Sequence, residues 1–385
     1  MLDFTFHNPT KIVFGKGVIA RLPDLIPAGK KVMLVTGGES IRRNGVYEQI
    51  RRAMSGRAMV EFFGIEPNPL YETCLKAVGQ ARAEKVDFLL SAGGGSPLDA
   101  AKFIAAAVPY TGKDPWDMFY DWSLVPADPL PLGCILTLPA TGSEANGGSV
   151  VSRKATQEKR FFLSERVFPQ FSLLDPQTTF SLPPRQTANG VVDAFVHVLE
   201  QYLTYDVDAP LQDRQAEAIL RTLIEEGPKA LAEPENYNVR ANLMWCATNA
   251  LNGLIGCGVP QDWATHAIGH ELTALFGLDH AQTLAVVYPG MMQHTRRRKR
   301  EKLLQYAARV WQLEAVDVES RINAAIFKTE EFFRSLGVHT RLKDYDISAT
   351  ACSCLIANRL AQRYPLGERE DLSSQDVEAI LQLRA

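Results

Sequence analysis

The sequence predicts two parts: an α/β amino-terminal domain with a parallel sheet over residues 1–182, and an all-α carboxyl-terminal domain over residues 183–385. Three observations carry this. Short runs rich in Val, Leu, Ile and Phe alternate with helical patterns through the first half, the rhythm of strand–helix–strand units. After Leu182-Pro183-Pro184 the strand signals stop, and apolar positions recur at three- and four-residue spacing. The length, 385 residues, suits two domains of ordinary size better than one core.

Taken in order, residues 31–36 (KVMLVT), 59–63, 86–91 (VDFLLS) and 133–138 read as short buried strands. Residues 40–54 and 72–84 read as helices between them. Glycine-rich turns follow the first and third strands, Gly37-Gly38 and Gly93-Gly94-Gly95. Such turns stand at carboxyl ends of strands, where open α/β sheets bind ligands. Past the proline pair, which reads as a hinge, helical periodicity covers 187–203, 211–226, 239–254, 263–276, 302–313, 318–336 and 375–383. Small-molecule sites concentrate in clefts between domains, so a cleft is expected here.

Composition excludes several function classes. At 46% hydrophobic and 22% charged the chain is neither disordered nor fibrous. A formal net charge of −3 gives no electrostatic reason to expect nucleic acid. No uninterrupted apolar stretch approaches the ~18–20 residues of a membrane span. The opening MLDFTFHNPT lacks the basic-then-apolar layout of a secretory signal, which together with six scattered cysteines points to the cytoplasm. Those cysteines, with no C-x-x-C pair, read as small core hydrophobes. The basic run at 296–300 (RRRKR) reads as the solvated start of a helix rather than a phosphate-binding patch.

Chemistry concentrates in the histidines. The chain has seven, and four of them are His197, His266, His270 and His280. Asp193 and His197 stand four residues apart on a helix, as do His266 and His270, so each pair projects from one helical face. His280 follows just beyond Gly277-Leu278-Asp279. Imidazole and carboxylate suit Zn2+ or Fe2+, and ligands from facing helices can converge in a helical core. The bland alternative is four ordinary polar residues on wet faces. The apolar residues around Asp193 (Val191, Val192, Ala194, Phe195, Val196) oppose it, since a buried carboxylate needs a charged partner. Spacing alone leaves open which of the three later histidines is not a ligand.

The glycines of Ser91-Ala92-Gly93-Gly94-Gly95-Ser96 close a strand and open a helix that carries Asp99 and Lys102. Backbone N–H groups and the positive end of that helix could receive a pyrophosphate. A tight strand-to-helix turn would need the same glycines, and the G-x-G-x-x-G pattern is absent. Leu138-Pro139-Ala140-Thr141-Gly142-Ser143-Glu144 adds hydroxyls after another strand.

With these segments in view, the chain resembles the iron-containing (group III, metal-dependent) alcohol dehydrogenase family over essentially its whole length. The resemblance rests on Phe14-Gly15-Lys16-Gly17, on Gly93-Gly94-Gly95-Ser96 running to Asp99 and Lys102, and on Thr137 through Glu144. It continues in Leu174-Asp175-Pro176, in Gly190 to Glu200 with Asp193 and His197, and in His266, His270 and His280. Glu66-Pro67-Asn68-Pro69 and residues 258–266 look most like the bacterial NADPH-dependent aldehyde reductases and butanol dehydrogenases of that family. The fold implied is a Rossmann-like parallel sheet of the dehydroquinate synthase-like kind followed by helices. The resemblance implies that Asp193, His197, His266 and His280 hold one divalent ion, Fe2+ or Zn2+, and that His270 serves catalysis as a proton-relaying histidine near the nicotinamide. It implies cofactor contacts from Asn68, Gly94, Gly95, Ser96, Asp99, Thr137, Thr141 and Lys159.

Choice of cofactor turns on Thr36-Gly37-Gly38-Glu39-Ser40. NAD-using members tend to carry an Asp after the first strand, which accepts from the ribose 2′-hydroxyl. Here Gly37 and Gly38 leave room for a 2′-phosphate and Ser40 can donate to it, provided Glu39 points to solvent. The function implied is NADP(H)-dependent, metal-assisted reduction of aldehydes to primary alcohols and the reverse oxidation, with a small aldehyde or alcohol as partner and a homodimer as the assembly. The alternative is an NAD-dependent polyol (glycerol-type) dehydrogenase of the same fold. A metal- and nucleotide-binding protein without turnover is the alternative from another class.

Overall fold

Six parallel strands form one sheet in the computed structural model, which describes residues 1–314, 317–363 and 365–385. They are β1 (Lys11–Phe14), β2 (Val32–Thr36), β3 (Met59–Phe62), β4 (Phe88–Gly93), β5 (Leu132–Leu136) and, after a two-stranded antiparallel ribbon of β6 (Gly148–Arg153) and β7 (Glu158–Leu163), β8 (Phe171–Leu174). The sheet order is β1-β8-β5-β4-β2-β3. Every residue of β2, β4, β5 and β8 is buried, which is why these strands read as continuous apolar runs instead of alternating ones.

The strand order reverses between β2 and β4. From β2 the chain steps outward to β3, then returns past β2 to β4 and proceeds to β5 on the other side. Ligands bind at such a switch point, outside the carboxyl ends of the strands. The turns after β2, β4 and β5 lie side by side there, since β4 pairs with both β2 and β5. The helices Tyr71–Ala83 and Gly95–Ala107 cover the sheet with Cys74, Ala77, Val78, Leu98, Phe103 and Ile104 in one core.

The chain divides into two compact units. One comprises His7–Leu182 and Pro234–Asn252, the other Met1–Phe6, Pro183–Glu233 and Gly253–Ala385. A single cut between residues 182 and 183 therefore does not describe it. The helix Tyr237–Ala250 lies with the sheet unit because Met244 is buried in that core and Thr248 Oγ1 donates to Glu144 Oε1 at 2.6 Å. Leu2 N donates to Gly258 O at 2.8 Å, which ties the first residues to the helical unit.

In the helical unit, Pro183 is the N-cap of the helix Pro184–Tyr202, and Pro184 takes the first helical position, where a missing N–H costs nothing. Residues 187–202 of this helix are all buried, so it is the unit's central element. The helices Ala264–Phe276 and His280–Thr295 pack on one another, and the latter also packs on Pro184–Tyr202.

Two helices carry no clear signal in the sequence, and two further expectations need correction. The helix His280–Thr295 carries Pro289 and Gly290, which hid its periodicity. The helix Ala349–Ala361 shows no clear period in the sequence because Ala351, Cys354 and Leu355 put apolar residues on its exposed face. The basic run is not wholly solvated: Lys299 is buried, with Nζ 2.5 Å from Asp262 Oδ2 and 3.2 Å from Glu368 Oε2. Burial opposes that charge, yet the two carboxylates raise the lysine above its ordinary range. Cys354 is exposed, unlike the other five cysteines.

Candidate metal centre and dinucleotide site

The helix Pro184–Tyr202 brings Asp193 and His197 onto one buried face, each 3% exposed. His266 and His270 come from Ala264–Phe276, four residues apart as their spacing requires. That helix ends at Gly277, whose left-handed φ of 73° turns the chain. Asp279 then caps the next helix through a capping box with Gln282. Asp279 Oδ2 also accepts from Arg185 Nη1 at 2.8 Å and Asn189 Nδ2 at 3.0 Å. These bonds tie the start of His280–Thr295 to the first helix, and His280 is its first residue.

One ligating atom from each of Asp193, His197, His266 and His280 lies within 4.8 Å of all the others. His197 Nε2 and His280 Nε2 are each 3.5 Å from Asp193 Oδ1. The His197 and His266 rings stack with centroids 4.7 Å apart. Three imidazoles and one carboxylate at this spacing match the donor chemistry of zinc or ferrous iron. His270 stands beside the group and outside it, its ring 6.3 Å from His266 and 5.5 Å from His280. Geometry thus separates His270 from His266 and His280, a choice that spacing left open.

Sequence reasoning gave Glu200 no role, though it stands one turn beyond His197 in the same helix. Its buried carboxylate accepts from Thr265 N at 2.9 Å and His266 N at 3.3 Å, and it pairs with His266 Nδ1. A carboxylate on one ring nitrogen sets the tautomer and leaves the other nitrogen for ligation. The signal was present, because a Glu inside an apolar helix demands a partner.

In the sheet unit, the structure brings most of the remaining expected residues together around the turns after β4 and β5. Gly94 and Gly95 stand against the turn after β5: a Cβ on Gly95 would lie 2.6 Å from Thr141 Cγ2, and one on Gly94 would lie 3.0 Å from Leu138 Cβ. Thr137 N donates to Gly93 O at 2.8 Å. Asn68 N donates to Ser96 Oγ at 3.2 Å, and Lys159 Nζ to Asn68 Oδ1 at 2.8 Å. Asp99 is buried and receives Ser143 Oγ at 2.6 Å. Burial lifts its pKa to about 6 against the pull of Lys102 and Ser143. Gly37 is half-buried near Ile65 and Pro97, while Gly38 and Ser40 are exposed. Glu39 turns outward, 62% exposed, with Oε2 3.4 Å from Arg42 Nε. Glycine turns at the carboxyl ends of adjacent strands, with hydroxyls, an amide, a carboxylate and a lysine beside them, have the chemistry to receive a dinucleotide.

Comparison with known proteins agrees with this geometry. Residues 9–176 match the iron-containing alcohol dehydrogenase family, and residues 187–384 match the C-terminal part of the Fe-containing alcohol dehydrogenase family. The chain is 54% identical over 376 residues to the NADPH-dependent aldehyde reductase YqhD of Escherichia coli (strain K12), covering 97% of each chain. It is 42% identical to the probable NADH-dependent butanol dehydrogenase 1 of Bacillus subtilis (strain 168), covering 99% of each. The crystal structure of E. coli K-12 YqhD superposes with a TM-score of 0.98 at 52% identity, covering 100% of this chain and 99% of that one. That of the NADH-dependent butanol dehydrogenase A from Thermotoga maritima gives 0.95 at 35% identity, covering 100% and 99%.

Proposed function

Because the chain belongs to the iron-containing alcohol dehydrogenase family, we propose that it is an NADP(H)-dependent, metal-assisted enzyme that reduces aldehydes to primary alcohols and runs the reverse oxidation. The observation that carries this reading is the group of three histidines and one aspartate, with Asp193 and His197 buried and His266 and His280 partly so, whose ligating atoms lie within 4.8 Å of one another. The relatives' names include both NADPH- and NADH-dependent enzymes. The loop after β2 supports NADPH, since Gly37 and Gly38 bring no carboxylate and Glu39 faces solvent.

Asp193, His197, His266 and His280 would hold the ion, iron in keeping with the family or zinc with the same donors. When bound, the ion supplies a Lewis acid and the nicotinamide a hydride. Asp193 brings the negative charge that makes a dication welcome in this buried place. Glu200, by accepting from His266 Nδ1, orients that imidazole. His270, which stands beside the four, would hold and move the proton that the product hydroxyl needs. Asn68, Gly94, Gly95, Ser96, Asp99, Thr137, Thr141 and Lys159 would bind the dinucleotide, with Gly37, Gly38 and Ser40 at its 2′-phosphate. Exposed Met1, Leu2, Phe4 and Phe6 offer apolar surface for a second copy in a homodimer, and six cysteines with no disulfide among the described residues suit the cytoplasm.

The test is the purified protein with a panel of short aldehydes, following NADPH or NADH oxidation, alongside glycerol with NAD+ or NADP+. Aldehyde reduction favouring NADPH is expected. Faster glycerol oxidation with NAD+, or no turnover of any aldehyde, would overturn the reading.

A further inference from the structure

Lys102 is fully buried in the middle of the helix Gly95–Ala107, and no step above uses it. Burial lowers its pKa to about 8 against the opposing pull of Asp99 and Glu144. Its Nζ donates to Ser143 Oγ at 2.8 Å, Gly148 O at 2.8 Å and Asn146 Oδ1 at 3.1 Å. An ammonium has three protons and nothing with which to accept. All three are committed, and all three go to residues 143–148, the stretch that leads from the turn after β5 into β6.

The consequence falls on Ser143. Its hydroxyl has one proton and accepts from Lys102, so that proton goes to Asp99 Oδ1, 2.6 Å away. Asp99 is also held through its main chain, where Ser149 Oγ donates to Asp99 O at 2.7 Å. Asn146 locks the same segment, donating to Gly142 O at 2.9 Å and accepting from Gly148 N at 2.9 Å. We propose that Lys102 is a positioning residue for the dinucleotide: without reaching the cofactor, it directs Ser143 so that Asp99 is presented to it as a hydrogen-bond acceptor. This rests on the reading above that Asp99 contacts the cofactor.

The charges around Asp99 give the relay a distinctive pH signature. Lys102 on its own helix and Lys159 on β7 favour the carboxylate, as do Ser143 Oγ and the backbone N–H of Val150. Glu144 and the Cys74 thiol, by contrast, are pushed up chiefly by burial, with the charge on Asp99 adding a smaller push. Among the groups that keep Asp99 ionised, Lys102 has the largest effect, set against burial. Removing it moves the carboxyl further up, so a larger share of Asp99 holds a proton at neutral pH and cannot act as a pure acceptor.

The experiment measures the Kd for NADPH by fluorescence, between pH 6 and 9, for the unmodified protein, Lys102→Met, Ser143→Ala, Asp99→Asn and the Lys102→Met/Asp99→Asn double variant. Melting temperature and metal content are recorded for each. The expected result is a Kd raised about tenfold by Lys102→Met at pH 7, the range of one lost hydrogen bond to a charged group. That penalty shrinks toward pH 9, where Asp99 ionises unaided and Lys102 of the unmodified protein, at about 8, has itself lost much of its charge, and the double variant is no weaker than Asp99→Asn. Ser143→Ala, which keeps Lys102, weakens binding too and decides the matter if Lys102→Met does not fold. Unchanged Kd in Lys102→Met and Ser143→Ala beside a weakened Asp99→Asn would overturn the relay and leave the Asp99 contact standing. A penalty equal at every pH and additive with Asp99→Asn would make Lys102 merely structural and also overturn it. An Asp99→Asn protein that binds NADPH normally would instead overturn the Asp99 contact itself.

Discussion

Placing a carboxylate at position 38 should invert the cofactor preference. Gly38 is exposed, its φ lies outside the left-handed range, and a Cβ there meets nothing within 4 Å, so Gly38→Asp has room without strain. A 2′-phosphate carries about −1.5 to −2 charges at pH 7. At ~4 Å in a water-like dielectric each unit pair costs about 1 kcal/mol, less once salt screens it. The sum is roughly 1–2 kcal/mol against NADPH, or about 5–30-fold in kcat/KM. With NADH the same carboxylate can accept from the ribose 2′-hydroxyl, a further gain of about 1 kcal/mol. The ratio of kcat/KM for NADPH to that for NADH should therefore fall by roughly 10–100-fold. Gly38→Ala, which adds bulk without charge, should leave it in place. Steady-state assays at 0.05 and 0.3 M salt separate the terms, since only the repulsion weakens with ionic strength. An unchanged ratio in Gly38→Asp would refute the assignment of this loop to the 2′-phosphate.

Replacing His270 by Ala should keep the metal and most of the stability but lower kcat by roughly 10²-fold and reshape its pH profile, as loss of a general acid does; metal analysis, melting temperature and kcat against pH on that variant test this. Loss of metal would make His270 a ligand, and unchanged kcat at every pH would remove it from the mechanism. Acid stability should depend on Asp376, where burial would raise the carboxyl but Ser373 and His294 outweigh it and bring it down to about 2. A depressed carboxyl stabilises the fold above its unfolded pKa near 4, and that contribution is lost as pH falls from ~4 toward 2. At a partly exposed pair it amounts to about 1 kcal/mol after screening. Asp376→Asn should thus narrow the gap in melting temperature between pH 6 and pH 3, and an unaltered gap would count against the pairing.

How much of this was legible in the sequence depended on whether a residue's signal was local. The strands β2, β4 and β5 are buried throughout and show as apolar runs, as does the half-buried β3 through Met59, Val60 and Phe62, whereas β1 and β8 do not stand out. The i, i+4 pairs around Asp193 and His266 were visible because helical spacing fixes which side chains share a face. His280 reaches the same point only through the Gly277 turn and the Asp279 cap, whose partners Arg185 and Asn189 lie about ninety positions away in sequence. Glu200 and Lys102 were hidden for a related reason. A buried charge announces a need for partners, but which partners it finds is decided by tertiary packing. The helix Tyr237–Ala250 illustrates the same limit, since its periodicity gives a helix and only its contacts place it with the sheet.

On the proposed function, aldehyde reduction depends on an ion that Asp193, His197, His266 and His280 hold together. This claim is tested most directly by counting metal per chain in anaerobically purified protein and in His266→Ala, alongside NADPH binding and aldehyde-dependent NADPH oxidation. The expected result is one divalent ion in the unmodified protein, with ion and turnover both lost in His266→Ala while NADPH still binds. A His266→Ala protein that keeps a stoichiometric ion and full turnover would contradict the claim.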